Sequence, residues 1–113
     1  MITPAQIESR LLQLSKEIDE AQKDLSDVEV KYAQAKTAFE LAVAASRLAR
    51  AGDKMTVQQK EDEALIENAD KFQNVEILEA TVRAMRGNVA RIKIQVEIAR
   101  SVGTSVRSSW EAS

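Results

Sequence analysis

The sequence predicts an all-α fold: an antiparallel two-helix coiled-coil hairpin that we expect to dimerise into a four-helix bundle. Apolar residues recur in alternating steps of four and three through two long segments, as they do in helices that pack along one another. One obvious break, at Gly52, separates the two segments. Blocks of charge that alternate in sign along the chain favour antiparallel pairing. Residues 1–113 are therefore expected to form a single helical-hairpin domain.

The first helix is predicted over residues 4–50. Thr3 is the expected N-cap, Pro4 suits the first helical position, and Gln6 stands three residues after the cap. The predicted seam, the line of residues that faces the partner helix, comprises Ile7, Leu11, Leu14, Ile18, Ala21, Leu25, Val28, Tyr32, Ala35, Phe39, Ala42, Ser46 and Ala49. Ser46 is the one polar residue among them, so we expect a nearly continuous apolar contact.

The C-terminal part of this helix is apolar on nearly all sides, and Leu41 and Leu48 lie off the seam. One interpretation is that its Ala residues are simply good helix formers. The other is that a second chain covers this part of the helix, because one partner helix covers only a stripe. Leu41 and Leu48 are therefore candidates for an oligomer interface.

Residues 51–56 are predicted to form the turn, since Gly52 suits the left-handed conformation that ends many helices. Thr56 and Gln59 repeat the cap chemistry of the first helix. The second helix is predicted from residue 57 to between residues 101 and 110. Its seam comprises Val75, Leu78, Val82, Met85, Val89, Ile92, Val96, Ala99, Gly103, Val106 and Trp110.

The start of the second helix carries a different apolar pattern. Leu65, Ala69 and Phe72 precede Val75 in steps of four, three and three. Two successive steps of three indicate a stammer, which overwinds a coiled coil locally. The seam is therefore predicted to change phase just before Val75.

Charge predicts the direction of pairing. Residues 8–29 carry three basic and seven acidic side chains, net −4, and residues 31–54 carry five and two, net +3. Residues 60–79 carry two and seven, net −5, and residues 83–107 carry six and one, net +5. An antiparallel hairpin sets each acidic block against a basic block, whereas parallel helices would oppose the two acidic blocks.

A second apolar line on the second helix favours self-association into a homodimer or a higher homo-oligomer. Scattered surface apolar residues are the alternative interpretation, but three Ile residues on one line are unusual for a monomer. The candidate interface residues are Ile77, Ala84, Ile94, Ile98, Val102, Leu41 and Leu48.

The residue types argue against several function classes. The chain has no His and no Cys, which removes the usual general base near neutral pH and thiolate metal ligands. We therefore expect no enzyme activity, no cofactor and no metal site. The longest apolar run, Leu41–Ala45, is far too short to span a membrane, and no signal-peptide pattern is present, so a cytoplasmic location is expected.

A basic line and one Trp on the second helix could contact nucleic acid. We favour a simpler interpretation, in which the basic residues pair with the acidic segment 8–29. The net charge of −2 also gives no general attraction to nucleic acid. The candidate nucleic-acid residues are Arg83, Arg86, Arg91, Lys93, Arg100, Arg107 and Trp110.

In its plan of two long helices and a short turn at residues 51–54, the whole chain resembles the small coiled-coil hairpin accessory proteins of bacteriophages and prophages. The resemblance covers architecture and no family motif, and it implies an accessory role in recombination, assembly or host takeover. The prediction is a non-enzymatic protein that self-associates and binds a protein partner. The alternative is an accessory factor of phage recombination or replication that binds nucleic acid through the basic face.

Overall fold

The computed structural model describes residues 1–112 and consists mainly of α-helix. Helix α1 spans Pro4–Ala49, α2 spans Val57–Glu67 and α3 spans Ala69–Ala112. The described residues include no β-strand, so the all-α prediction is confirmed. None of the helices in this range combines the length and the apolar character that crossing a bilayer needs.

The chain divides into two compact units, and each contains parts of α1 and α3. The terminal unit comprises Met1–Ser26 and the chain from Ala84 onward, and the turn unit comprises Asp27–Arg83. The terminal unit carries eight basic and seven acidic side chains, net +1. The turn unit carries eight and eleven, net −3. The single hairpin domain stays a prediction.

Capping boxes begin α1 and α2. The Thr3 N–H donates to Gln6 Oε1 at 2.8 Å, and the Gln6 N–H donates to Thr3 Oγ1 at 3.2 Å. Thr56 and Gln59 make the equivalent bonds at 3.0 and 3.1 Å. Each pair satisfies two N–H groups that have no partner within the helix, which fixes where the helix starts.

The end of α1 differs from the prediction. No residue in the range 1–112, Gly52 included, has a left-handed backbone conformation. Instead, the Arg50 N–H donates to Arg47 O at 3.1 Å and the Ala51 N–H donates to Leu48 O at 3.2 Å. Each of these N–H groups donates to the carbonyl three residues before it, rather than four, so the chain tightens after the helix. The bonds give partners to carbonyls at the helix end that have no donor within the helix.

In the terminal unit, the predicted seam forms the core. Leu14 is 1% exposed and packs with Ile92 and Ala99. The residues that pack against this cluster are Leu11, Ile18, Ala21 and Val96. A Cβ atom added to Gly103 would lie 2.8 Å from Ile7 Cγ2, so the start of α1 runs beside the end of α3. The two helical segments of this unit are therefore antiparallel.

Two helices, α2 and α3, take the place of the single second helix that the sequence predicts. The interruption is at Asn68, whose N–H donates to Leu65 O at 3.2 Å, three residues back. The Phe72 N–H donates to Asn68 O at 3.0 Å and starts the ladder of α3. Helix α3 then continues to Ala112, past the predicted limit of residues 101–110.

The seam of α2 follows other residues than those predicted. Ala64 and Asn68 are buried, whereas Leu65 and Phe72 are about half exposed. Ala64, Asn68 and Val75 are separated by four and seven residues, so the seven-residue repeat continues without a change of phase. The repeat thus passes through the polar Asn68. The Phe72 ring nevertheless packs against Phe39 of the α1 seam, with ring centroids 5.6 Å apart, and the stammer stays a prediction.

Candidate interaction surfaces

A polar contact joins α1 to the junction of α2 and α3 within the turn unit. Asn68 Nδ2 donates to Ser46 Oγ at 3.0 Å and to Ala64 O at 2.8 Å. Ser46 is the polar residue of the α1 seam, and Asn68 is only 6% exposed. Sliding one helix along the other would break the bond to Ser46 and keep only the local bond to Ala64, and losing a hydrogen bond is costly for a buried polar group. The contact therefore fixes the register of the turn unit.

Arg50 links the end of α1 to α2. Its Nε donates to Glu63 Oε2 at 3.1 Å, and its Nη1 donates to Glu67 Oε2 at 2.8 Å and to Ser46 O at 3.1 Å. The hydrogen bond from Arg50 lowers the pKa of Glu67, with a smaller contribution from Ser46. The hydrogen bonds to Glu67 and then Glu63 raise the pKa of Arg50. These ion pairs connect the basic and acidic blocks of the turn unit.

The turn unit also exposes many large apolar side chains. Its buried apolar residues are small, namely Val43, Ala64, Val75 and Val82. Its exposed ones are Val30, Leu41, Leu48, Val57, Leu65, Ile66, Phe72 and Ile77. The predicted interface residues Leu41, Leu48 and Ile77 thus lie at the surface, as a partner contact requires, and their role as an interface stays a prediction.

In the terminal unit, Ala84, Ile94 and Ile98 are exposed and Val102 is half-buried. Ile98 and Val102 line one shallow groove, together with Ile7, Arg10, Gln95 and Ala99. Ile94 does not line that groove. Ile94 and Ile98 are four residues apart on α3, so these two exposed side chains are neighbours on the helix surface.

The two helical segments of the terminal unit leave a groove along each long edge. The basic groove has a volume of about 390 Å³ and is lined by Leu11, Ser15, Ile18, Lys93, Val96, Glu97 and Arg100. On the other edge, the acidic groove is lined by Glu17, Glu20, Ala21, Asp24, Asn88, Arg91, Ile92 and Gln95. Apolar seam residues form the floor of the basic groove, and two cations stand at its rim.

The predicted nucleic-acid residues do not form one surface. Arg83 pairs with Glu79 on its own helix. The Arg91 guanidinium donates to Asn88 Oδ1 at 2.7 Å and lies in the acidic groove. Trp110 is about half exposed.

Four of the cations share an edge of α3: Arg86, Lys93, Arg100 and Arg107 repeat every seven residues. Arg107 Nε donates to Gly103 O at 3.5 Å. Within residues 1–112, no ion pair involves Lys93 or Arg100. The pairing of these two cations with the acidic segment 8–29, which the sequence favours, is therefore not observed.

The α1 side of the basic groove accounts for the missing pairs. Ser15 lines the groove opposite the cations, and the residue seven positions later on the same edge is Gln22. Neither side chain carries a charge, so neither can neutralise Lys93 or Arg100. Glu8, seven positions before Ser15, does not line the groove. Because the Ser15 side chain is also short, it leaves open space over the floor that a longer acidic side chain would have covered.

The part of the chain that the structure describes holds no group of three or more acidic side chains placed to bind a metal ion. Two surface features stand out among the described residues: exposed apolar side chains in the turn unit and a basic groove in the terminal unit. No protein-family model, no curated protein and no solved structure matches this chain.

Proposed function

We propose that this chain is a non-enzymatic assembly protein that self-associates as a two-fold dimer, in which α1 and the α2–α3 segment of each copy form a coiled-coil bundle of four helical segments. The observation that carries the proposal is the exposure of Leu41 and Leu48, which are 66% and 77% exposed. Complete burial of one Leu side chain stabilises a protein by about 1.5–3 kcal/mol. Extended exposed apolar surface of this kind marks protein interfaces.

The core of the turn unit supports the same proposal. Three of its four buried apolar residues are Val and the fourth is Ala64. Small chains with little core often depend on association for stability. A two-fold contact is the commonest solution, because one patch then serves both copies.

The dimer would act by presenting its outer surface to a protein partner. This is the accessory role that the architectural resemblance to bacteriophage and prophage hairpin proteins implies, and it fits a cytoplasmic location. The proposal needs no catalytic group, which agrees with the absence of His and Cys from the sequence.

The test is the mass in solution of the double variant Leu41→Asp/Leu48→Asp. We expect the wild-type chain to have about 25 kDa, twice its 12.5 kDa, and the variant to have the mass of one chain. Charged carboxylates in the interface would be desolvated without partners, which is strongly unfavourable. Light scattering after size-exclusion chromatography gives the mass, and circular dichroism gives the helix content.

The control is Gln13→Asp, which adds a carboxylate at an exposed position of α1 in the terminal unit. The mass of this control should equal that of the wild type. A double variant that keeps the wild-type mass would show that Leu41 and Leu48 lie outside the interface.

Nucleic-acid binding is the second candidate function. The seven-residue repeat of Arg86, Lys93, Arg100 and Arg107 favours it, because a row of cations can contact successive phosphates. A salt-sensitive shift of a labelled single-stranded oligonucleotide would support this function. Absence of binding at low salt would exclude it.

A further inference from the structure

The basic groove has two chemical features that limit what can occupy it. Leu11, Ile18 and Val96 give it an apolar floor. Lys93 and Arg100 are seven residues apart on α3, so they are separated by about 10.5 Å along the helix axis. An occupant that satisfies both features has an apolar side chain between two carboxylates with a similar spacing.

The chain itself carries such a segment in the turn unit. Ile66 is 74% exposed, and Asp62 and Asp70, four residues before and after it, are also exposed. Asp62 lies in α2 and Asp70 in α3, on either side of the interruption at Asn68. At the helical rise per residue, eight residues extend by about 12 Å, against about 10.5 Å for the two cations. Asp62 Oδ1 accepts a hydrogen bond from Gln58 Nε2 at 2.8 Å, which orients its carboxylate.

The net charges of the two units point to the same partner. The terminal unit carries +1 and the turn unit −3. When the terminal unit of one copy contacts the turn unit of another, unlike charges meet. A two-fold axis repeats the contact, so each copy supplies one basic groove and one segment that carries Asp62, Ile66 and Asp70.

From these features we infer that the basic groove binds the Asp62–Ile66–Asp70 segment of a second copy of this chain. Ile66 covers the floor formed by Leu11, Ile18 and Val96, and the two carboxylates pair with Lys93 and Arg100. The inference rests on the proposed self-association and identifies a pair of surfaces for it. Charge pairs of this kind set the orientation and partner choice of associating helices.

The test uses two variants with reversed charges. Lys93→Glu/Arg100→Glu makes the groove acidic, and Asp62→Lys/Asp70→Lys makes the segment basic. Each variant alone opposes like charges at both contacts of its own dimer, so we expect at least a ~10-fold weaker dimer. An equimolar mixture restores attraction at both contacts, because each variant then meets its complement. The mixture should therefore regain the dimer mass, measured by sedimentation equilibrium at low salt.

The matched control is Lys16→Glu/Lys23→Glu. These two cations are also exposed and seven residues apart in the terminal unit, but they lie on α1 outside the basic groove. This control changes the net charge by the same amount and should dimerise like the wild type. Lys93→Gln/Arg100→Gln, which introduces no repulsion, keeps the test valid if the reversed variants lose helix content.

The outcomes separate the two proposals. A wild-type chain that remains a monomer overturns the proposed function and this inference together. If the wild type dimerises, and the groove variants dimerise as strongly as the Lys16/Lys23 control, this inference alone is overturned. The same holds if the groove variants lose only oligonucleotide binding, since the groove then contacts nucleic acid.

Glu97 provides an independent test. It is the one acidic side chain that lines the basic groove, beside the two cations. It should therefore repel the incoming carboxylates. We expect Glu97→Gln to tighten the dimer, and a weaker dimer would contradict the inferred occupant.

Discussion

The two units of the molecule are stabilised in different ways. The terminal unit has a core of larger side chains, in which Leu14, Ile92 and Ala99 pack together. In the turn unit the buried apolar residues are Val and Ala, beside a Phe39–Phe72 ring contact and a polar contact between Ser46 and Asn68. Apolar packing stabilises a pair of helices without selecting one alignment of the two, whereas a buried hydrogen bond between helices forms in one alignment only.

Register and stability are set in different parts of this chain. The turn unit fixes how the helices are aligned, but it leaves Leu41, Leu48 and Ile66 at the surface. The terminal unit buries its seam but leaves Lys93 and Arg100 without ion pairs among the described residues. The turn unit exposes apolar side chains, and the terminal unit exposes two cations beside a groove with an apolar floor. We therefore expect the turn unit of one copy to contact the terminal unit of another.

The largest effect is expected from Leu14→Ala in the terminal unit. Leu14 is the largest fully buried side chain in the described range, so its truncation leaves a cavity in the main apolar cluster. We expect the free energy of unfolding to fall by about 2–5 kcal/mol, measured by urea denaturation. Leu12→Ala on the same helix is the control, because Leu12 is exposed and should change stability little. Equal effects of both substitutions would show that this cluster is not the main source of stability.

A smaller effect is expected from Asn68→Ala in the turn unit. The substitution removes both hydrogen bonds of the buried amide, to Ser46 and to Ala64. We expect a loss of about 1–3 kcal/mol, together with faster amide hydrogen exchange around Ser46, because the register is less strictly fixed. Gln58→Ala, which removes an exposed side-chain bond of α2, serves as the control. Unchanged exchange in the Asn68 variant would mean that register is set elsewhere.

The smallest effect should come from the ion pairs of Arg50. The pKa of Glu67 in the folded chain is lowered below its ordinary value of 4.5, chiefly by the hydrogen bond from Arg50. A carboxyl group of this kind stabilises the fold at pH above that ordinary value, and the contribution is lost as the pH falls through the lower folded pKa. Wild type should therefore have a higher Tm than Arg50→Gln at neutral pH, and the difference should shrink in acid, where only the bond from Arg50 to Ser46 O and the packing of the Arg50 stem remain. An equal difference at neutral pH and in acid would show that the ion pairs to Glu63 and Glu67 contribute nothing.

The α1 seam was predictable because its residues follow a uniform period and are almost all apolar. Leu14 is fully buried and the seam positions around it are partly buried, so the sequence pattern alone located the core of the terminal unit. The antiparallel direction that the charge blocks predict is observed in the terminal unit, where Ile7 lies beside Gly103.

The interruption at Asn68 was not predicted because the predicted seam followed the apolar residues Leu65, Ala69 and Phe72 and passed over the polar Asn68. Counting back from Val75 in steps of four, three and four reaches Asn68 and then Ala64. A polar residue at such a position is a signal for a buried hydrogen bond. Its partner, Ser46, was visible as the one polar residue of the α1 seam, but the pattern did not show that the two would meet.

The basic groove was missed for a different reason. Charge counted in blocks predicted that the basic residues of α3 would pair with the acidic residues of α1. The structure shows that the relevant neighbour is Ser15, at the edge of the groove beside Lys93 and Arg100. Block charge gives the direction of the helices, whereas the residues along each edge decide which cations remain without a partner.

The most direct test of the central claim is sedimentation equilibrium of the wild-type chain over a range of concentrations, at low and at high salt. We expect a mass near 25 kDa, twice the 12.5 kDa of one chain. The apolar contact should maintain the dimer at high salt, while the charge pairs at the basic groove should tighten it at low salt. A mass of one chain at every concentration and salt would contradict the claim that a second copy covers the exposed apolar side chains.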